Sequence, residues 1–225
     1  WYDLTTSNFT TLTNNSSVGE YDNGKSSESY DFKFYTPWKF GGSLGYTVGN
    51  YLALGATYEY ADYGTCDERI NDGGYTDYWG DWIDTSTRDN AMKDNIESSL
   101  KGVSTFKIGA EFKATPEFAV RLGYNYVSPM YNKDGFKDGS LQSPGVYYSS
   151  STDFTNWKST NRITAGVGYN YKGWAFDIAY QYSQTNGDFY PFMNNFNDGD
   201  LTNVVQATKV SNKRNQVIFS LSYRF

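Results

Sequence analysis

Residues 51–63 of the chain, YLALGATYEYADY, alternate in character from one residue to the next. The even positions from Leu52 to Tyr60 carry apolar or aromatic side chains, whereas the odd positions from Ala53 to Glu59 carry small or polar ones. Successive side chains of a β-strand point to opposite faces, so this segment predicts a strand with one apolar face. The rest of the chain indicates whether that face meets a protein core or lipid.

The same alternation recurs in six further segments. They are residues 38–48, 105–114, 118–127, 162–171, 174–183 and 215–225. Each is close to the 9–11 residues that a strand needs to cross a bilayer at a tilt. Tyr, Trp and Phe crowd the ends of the apolar faces, and aliphatic residues hold the middles, as in the series from Trp174 through Ile178 to Tyr182. Amphipathic rings favour both interfaces of a membrane, so this banding predicts that the apolar faces meet lipid.

The connections between these segments are alternately very short and long. The short ones are residues 49–50, 115–117 and 172–173, and the long polar ones are about 64–103, 129–160 and 185–213. Outer-membrane barrels have short periplasmic turns and long extracellular loops. The pattern therefore predicts an all-β protein that forms an antiparallel transmembrane β-barrel. A soluble sandwich or a lipocalin-like barrel is the alternative.

Composition agrees with a barrel and excludes other classes. Hydrophobic residues make up only 38% of the 225 residues, but aromatic residues reach 19%, with 22 Tyr. A barrel strand shows lipid only every second residue, so low hydropathy is compatible with a membrane. The net charge of −6 argues against nucleic acid as a partner. The chain begins at Trp1 without a signal-peptide pattern, which favours a processed or truncated N-terminus.

The number of alternating segments bears on how such a barrel closes. Seven is odd, whereas single-chain bacterial barrels have even strand numbers. Residues 1–35 are rich in Ser, Thr, Asn and Gly, which predicts an extracellular loop region, and residues 30–35 within it are expected to extend the 38–48 strand. Residues 36–225 are expected to supply the barrel strands. We interpret the chain as part of a larger barrel, with an eight-stranded barrel as the alternative.

Three stretches carry a resemblance to a known family. They are YTPWKFGGSLGYTVGNYLALGATYEYADY (35–63), STFKIGAEFKATPEFAVRLGYNYVSPMYN (104–132) and NQVIFSLSYRF (215–225). In order and spacing, the region from about Thr36 to Phe225 resembles the C-terminal half of the FadL/TodX family of outer-membrane transporters of long-chain fatty acids and other hydrophobic compounds. The resemblance implies a 14-stranded barrel plugged by an N-terminal hatch. It also implies that the barrel-insertion machinery reads Phe225 and that Lys101 lies near a fatty-acid head group.

The sequence shows no constellation of catalytic or metal-binding residues. The chain has no His, and its single cysteine, Cys66, has no paired base nearby in the sequence. Acid–base catalysis by His and His-based metal ligation are therefore excluded for this segment. We expect neither an enzyme nor a bound cofactor or metal.

Candidate ligand-binding residues fall into two groups. The first is the aromatic cluster of a long loop and consists of Phe189, Tyr190, Phe192, Met193 and Phe196. The second consists of the cations Lys107, Arg121 and Arg162, which are predicted on neighbouring strands with their side chains inside the barrel. The loop predicts capture of a hydrophobic ligand, or packing of loops over the barrel mouth. The cations are expected to hold a ligand carboxylate or the hatch, or else to form ion pairs that fill a wet interior.

Another long loop, 64–103, carries two features. Residues 87–102 predict a helix, because Met92, Ile96 and Leu100 recur every four residues and Gly102 suits a C-terminal cap. Residues 78–83 form a second aromatic cluster, DYWGDWI in its sequence context. Exposed clusters of this kind mark contacts, which predicts capture of a hydrophobic ligand or packing of loops over the barrel mouth.

The sequence thus predicts an outer-membrane channel that passes hydrophobic small molecules passively. The main alternative is a surface barrel without transport, an adhesin or structural protein whose aromatic loops bind a partner. A general polar porin is a third possibility.

Overall fold

The computed structural model describes residues 2–10, 24–132, 142–143, 146–147, 153–191 and 206–224, with side chains for 32–132, 153–191 and 206–224. The strands are β1 (Tyr2–Thr10), β2 (Gly24–Tyr35), β3 (Lys39–Val48), β4 (Leu52–Asp62), β5 (Asp67–Thr76), β6 (Trp82–Arg88), β7 (Gly102–Lys113), β8 (Phe118–Val127), β9 (Gln142–Ser143), β10 (Val146–Tyr147), β11 (Phe154–Tyr171), β12 (Trp174–Tyr190) and β13 (Thr208–Tyr223). The described part also contains one α-helix, α1 (Asn90–Ser99), and a 3-10 turn at Tyr63–Thr65. The all-β prediction is confirmed.

The seven predicted strands form one antiparallel sheet in the order β13-β12-β11-β8-β7-β4-β3. Strands that are neighbours in this order are also consecutive among the seven along the chain, so each hydrogen-bonds to the one before and after it. The sheet is open, with β3 and β13 at its edges. Because every pairing is antiparallel, the two edge strands run in the same direction.

Three strands are longer than the alternation predicts. β11 begins at Phe154, β12 continues to Tyr190 and β13 begins at Thr208, all within segments predicted as loops. In these extensions Thr, Asn, Ser and Lys occupy both faces, so the apolar alternation stops while the backbone ladder continues.

A second sheet, in the order β1-β2-β5-β6, lies in segments predicted as loops. The expectation that residues 30–35 extend the 38–48 strand is wrong. These residues belong to β2, which pairs with β1 and β5, and Pro37 separates them from β3. Proline has no amide hydrogen for a sheet ladder, so it breaks the strand at this point.

The predicted helix is confirmed as α1. Asp89, which is fully buried, caps its N-terminus by accepting a hydrogen bond from the Met92 amide at 2.9 Å. Ile96 is buried, and the helix packs on the 3-10 turn and on β5. The predicted cap at Gly102 is wrong, since the helix ends at an extended Leu100. Gly102 instead begins β7, where a Cβ would collide with the Tyr60 hydroxyl.

The seven-stranded sheet exposes its apolar face. Leu44 is 82% exposed, Phe219 73% and Leu122 61%. On β4 the apolar residues Leu54 and Tyr58 are exposed, whereas Thr57 and Glu59 on the other face are partly covered. Among the residues with described side chains, the buried hydrophobic ones are only Ala61, Cys66, Ile96, Ala119 and Tyr190. No helix in the described ranges is long and apolar enough to cross a membrane.

Candidate functional site

The polar face of the seven-stranded sheet carries two ion-paired clusters. In the first, Glu59 on β4 bonds Lys39 on β3 at 3.2 Å and Lys107 on β7 at 3.0 Å. Both pairs are diagonal across neighbouring strands, because Glu59 stands opposite Gly41 and Thr105. One carboxylate therefore ties three adjacent strands together.

In the second cluster Arg121 on β8 bonds two carboxylates. Its Nε donates to Glu111 on β7 at 2.7 Å, and its Nη1 donates to Asp177 on β12. Asp177 is not on an adjacent strand, so the arginine reaches over β11 at Gly168. A Cβ at Gly168 would lie 2.6 Å from the Asp177 carboxylate and 3.0 Å from Arg121 Nη1. Glycine therefore makes room for this bridge.

The structure confirms that the strands carrying Lys107, Arg121 and Arg162 are neighbours in the sheet. Lys107 and Arg121 are occupied by the carboxylates just described. Arg162 lies between Asn125 and Ser183 in the register and forms no ion pair with any residue whose side chain is described. Of the three predicted cations, Arg162 is therefore the one without a carboxylate partner among the described side chains.

A cavity of about 540 Å³ lies where the sheet splits. Pairing between β8 and β11 ends at Val127 and Thr160, and β11 then continues alone beside β12. A bulge between Trp157 and Thr160 marks the same place. The cavity is enclosed by the continuing end of β11, the end of β12 and the segment that follows β8.

Hydrogen bonds hold the segment after β8 against the helix. The Lys101 amide donates to the Met130 carbonyl at 2.8 Å, and the Asn132 amide donates to the Ser99 carbonyl at 2.8 Å. Tyr131 forms an isolated bridge with Leu100. These contacts bring Lys101 into the cavity wall, together with Tyr131.

The cavity is both charged and aromatic. Lys158 bonds the Asp188 carboxylate at 2.8 Å, and Lys209 bonds it at 3.2 Å from β13. The hydrogen bond from Lys158, and to a smaller extent the one from Lys209, lowers the pKa of the Asp188 carboxyl below its usual range. Lys101 forms no ion pair within the described part of the chain. Among the described lining residues, Lys101 and Lys158 are cations and Asp188 is the one carboxylate, so they carry a net charge of plus one.

Aromatic rings supply the rest of the wall. Tyr190 is 6% exposed and stacks on Phe154, with ring centroids 4.7 Å apart and planes 12° apart. Trp157 also lines the cavity, whereas Phe189 does not. An aromatic wall beside an unpaired ammonium suits a ligand with a carboxylate and an apolar body.

The structure thus brings together two predicted site residues, Lys101 and Tyr190. Phe192, Met193 and Phe196 lie outside the described residues. Sequence reasoning missed Trp157, Lys158 and Asp188, because they stand in segments predicted as loops. The two aromatic residues Phe154 and Trp157, three positions apart in a polar segment, are the signal that the sequence offered.

A second cavity, of about 510 Å³, is a groove on the apolar face of the sheet. Its walls are aliphatic, with Leu54, Ile108 and Leu122 among them. The floor is the backbone at Gly55, Gly109 and Gly123, which lie side by side in the register of β4, β7 and β8.

Within the described ranges, no group of three or more His, Cys, Asp or Glu side chains could hold a metal ion. No family model matches the chain, and no curated protein matches it. The resemblance to the FadL/TodX family therefore remains a prediction from the sequence, and the functional argument rests on the geometry of this chain.

Proposed function

We propose that the seven-stranded sheet is part of a transmembrane β-barrel in a bacterial outer membrane, and that the protein passes hydrophobic small molecules, such as long-chain fatty acids, without catalysis. The observation that carries the proposal is the inverted character of the sheet. Its apolar face is exposed, while its polar face is covered by ion pairs that tie the strands together. A sheet in water buries its apolar face against another layer, whereas a barrel strand presents that face to lipid.

The height of the apolar band supports a bilayer. On β12 the outward positions are apolar or aromatic from Trp174 to Tyr182 and then become Gln184, Asn186 and Asp188. β13 changes character one residue pair earlier, from Val217 to Asn215, Lys213, Ser211 and Lys209, because Asn215 is opposite Tyr182. The band on β12 is nine residues long, which matches the 9–11 residues of a tilted spanning strand.

Aromatic contacts border the band at both ends. Near the short turns, Trp174 packs on Tyr223 at 4.7 Å between ring centroids, and Tyr51 meets the edge of Phe112 at 6.5 Å. At the other end Tyr58 packs on Phe106 at 4.8 Å. Rings at two levels with aliphatic residues between them are the pattern of the aromatic girdles of outer-membrane barrels.

The cavity supports an acidic amphipathic ligand. Lys101 offers an ammonium without a carboxylate partner in the described part of the chain, and Trp157 and Tyr190 offer apolar surface. The cavity lies beyond the apolar band, at the level where the outward face has become polar. We assign it to capture of the ligand on the extracellular side, before any passage through the barrel.

Replacing Lys101 by Met tests this function. Methionine keeps an unbranched apolar side chain but removes the ammonium. We expect the fatty-acid concentration that gives half-maximal uptake by cells to rise about tenfold or more. That change corresponds to the loss of one hydrogen bond to a charged group. Uptake of a matched neutral hydrocarbon should not change, because it gains nothing from a cation.

Lys113→Met is the matched control, since Lys113 lies at the short-turn end of β7 and contacts Glu111 only at 3.9 Å. Equal loss of fatty acid and hydrocarbon uptake would refute a role for Lys101 in binding a carboxylate. Normal uptake of both compounds by cells that lack the whole protein would refute transport itself.

A second candidate function is a surface barrel that binds a partner and transports nothing. The aromatic cluster at residues 78–83 favours it, because Tyr78 is 92% exposed and Trp79 is 82% exposed. If a variant of this cluster no longer bound the partner but took up ligand normally, partner binding and transport would be separate roles.

A further inference from the structure

Three exposed aromatic rings lie at the end of the hairpin of β5 and β6, and a fourth exposed ring, Tyr75, lies just before them on β5. Tyr78 and Trp79 occupy the connection between the strands, and Trp82, which is 62% exposed, begins β6. Exposed tryptophan and tyrosine side chains are costly to leave in water and are enriched at binding surfaces. We call residues 72–84 the hairpin tip.

Hydrogen bonds fix the backbone of the hairpin tip. One carboxylate oxygen of Asp77 accepts from the amides of Trp79 and Asp81, each at 2.9 Å. The Asp77 amide in turn donates to the Asp81 carbonyl at 2.8 Å, and Gly80 takes a φ of 91° that favours glycine. The tip is therefore ordered before any partner binds, which lowers the entropic cost of binding.

The rings themselves are also held in place. Tyr78 and Trp79 meet edge to face, with centroids 5.2 Å apart and planes at 85°. The Trp82 indole donates from Nε1 to Asp84 at 2.8 Å and lies across Gly74, where a Cβ would come within 2.6 Å of the ring. The rings are thus exposed yet positioned.

The charge of the hairpin tip has one sign. Residues 72–84 contain the four aspartates Asp72, Asp77, Asp81 and Asp84 and no Lys or Arg. The nearest cations, Arg69 and Arg88, are both bonded to Asp67 at the base of the hairpin. Aromatic faces attract cations, and nearby carboxylates strengthen that attraction.

We propose that the hairpin tip is a docking surface for a cationic peptide segment, whose Arg or Lys side chains stack on Tyr78, Trp79 and Trp82. A neutral oligosaccharide is disfavoured, because the Asp72, Asp77 and Asp84 carboxylates already accept hydrogen bonds from the hairpin itself. An anionic lipid surface is disfavoured by like charge. The inference depends on the hairpin alone and does not rest on transport.

The test measures binding of labelled hexa-arginine to the full-length protein by fluorescence anisotropy. Trp79→Ala and Trp82→Ala should each weaken binding about two- to fivefold, the range of an exposed cation–π contact. Gly74→Ala should weaken binding at least as much as Trp82→Ala, because its Cβ would collide with the Ile83 carbonyl oxygen as well as with the indole, and so would displace both the ring and the strand that carries it. Asp81→Asn should weaken binding at low salt and have little effect at high salt.

The controls match exposure and charge elsewhere in the chain. Trp38→Ala removes an indole that is 84% exposed and lies outside the hairpin tip, directly after Pro37. Glu117→Gln removes an exposed charge at a short turn. Neither should change binding. The proposal is overturned if the controls weaken binding as much as the tip variants, or if the tip variants bind hexa-arginine normally. Tip-dependent binding of a neutral oligosaccharide or of anionic vesicles, without binding of hexa-arginine, would overturn it as well.

Discussion

Arginine at Leu44 distinguishes lipid from water at the apolar face. Leu44 lies in the middle of β3 and is 82% exposed, so it has little packing to lose. In water, an exposed substitution of this kind changes the free energy of unfolding by about 0.5 kcal/mol or less. At the midplane of a bilayer, arginine on the outer face of a barrel costs about 2–4 kcal/mol. The substitution should therefore lower the folding equilibrium constant by roughly tenfold or more in lipid relative to its effect in water.

Ser43→Arg is the matched control at the same depth on the opposite face. It removes the hydrogen bond between the Ser43 and Thr57 hydroxyls, 2.9 Å long, which is worth about 1 kcal/mol. The assay is urea unfolding of the full-length protein in lipid vesicles, followed by tryptophan fluorescence. We expect Leu44→Arg to cost clearly more than Ser43→Arg. A cost for Leu44→Arg equal to or below that of the control would refute the assignment of this face to lipid.

Two further predictions concern the polar face and the buried acids. Gly168→Ala should destabilise the protein by about 1–3 kcal/mol, because its Cβ displaces the bridge from Arg121 to Asp177. In a double-mutant cycle, most of that cost should vanish in an Asp177→Ala background. Glu68 is 8% exposed, and its burial, with the nearby charge of Asp89, raises the pKa of its carboxyl, so the ionised form lowers stability at neutral pH. Glu68→Gln should therefore strengthen hydrogen-exchange protection of β5 and α1 at pH 7, and the gain should shrink as the pH falls through the raised pKa towards the ordinary one. Asp94→Asn, at an exposed site on α1, is the control; equal protection by both changes, or a gain that grows in acid, would contradict the reasoning.

The seven strands could be predicted because each face of each strand has one chemical character. Where that contrast fades, prediction fails. The upper half of β13, from Thr208 to Arg214, has polar residues on both faces, and nothing in its pattern separates a strand from a loop. β1 and residues 24–29 of β2 were missed for the same reason, and residues 30–35 were assigned to the wrong strand, because the sequence does not show that β2 pairs with β1 and β5.

The candidate site was predictable only in part. Lys101 and Tyr190 were named from the sequence, but the cavity that joins them depends on where β8 stops pairing with β11 and on the bulge before Thr160. Those are features of register, which local sequence does not encode. The partners of Arg121 also depend on register, because Asp177 is 56 residues away along the chain.

The position of the cavity on the long strands has a consequence for the choice of ligand. Asp188 lies six residues beyond Tyr182, or about 20 Å further along the strand, so under the proposed function a ligand of this cavity would arrive from water and not from the hydrocarbon layer. Each added CH₂ group favours transfer of the ligand into an apolar wall by about 0.8 kcal/mol. The same group lowers the concentration of free monomer in water by the factor that corresponds to a similar free energy. The two effects oppose each other, so the rate of capture should depend only weakly on the length of the acyl chain.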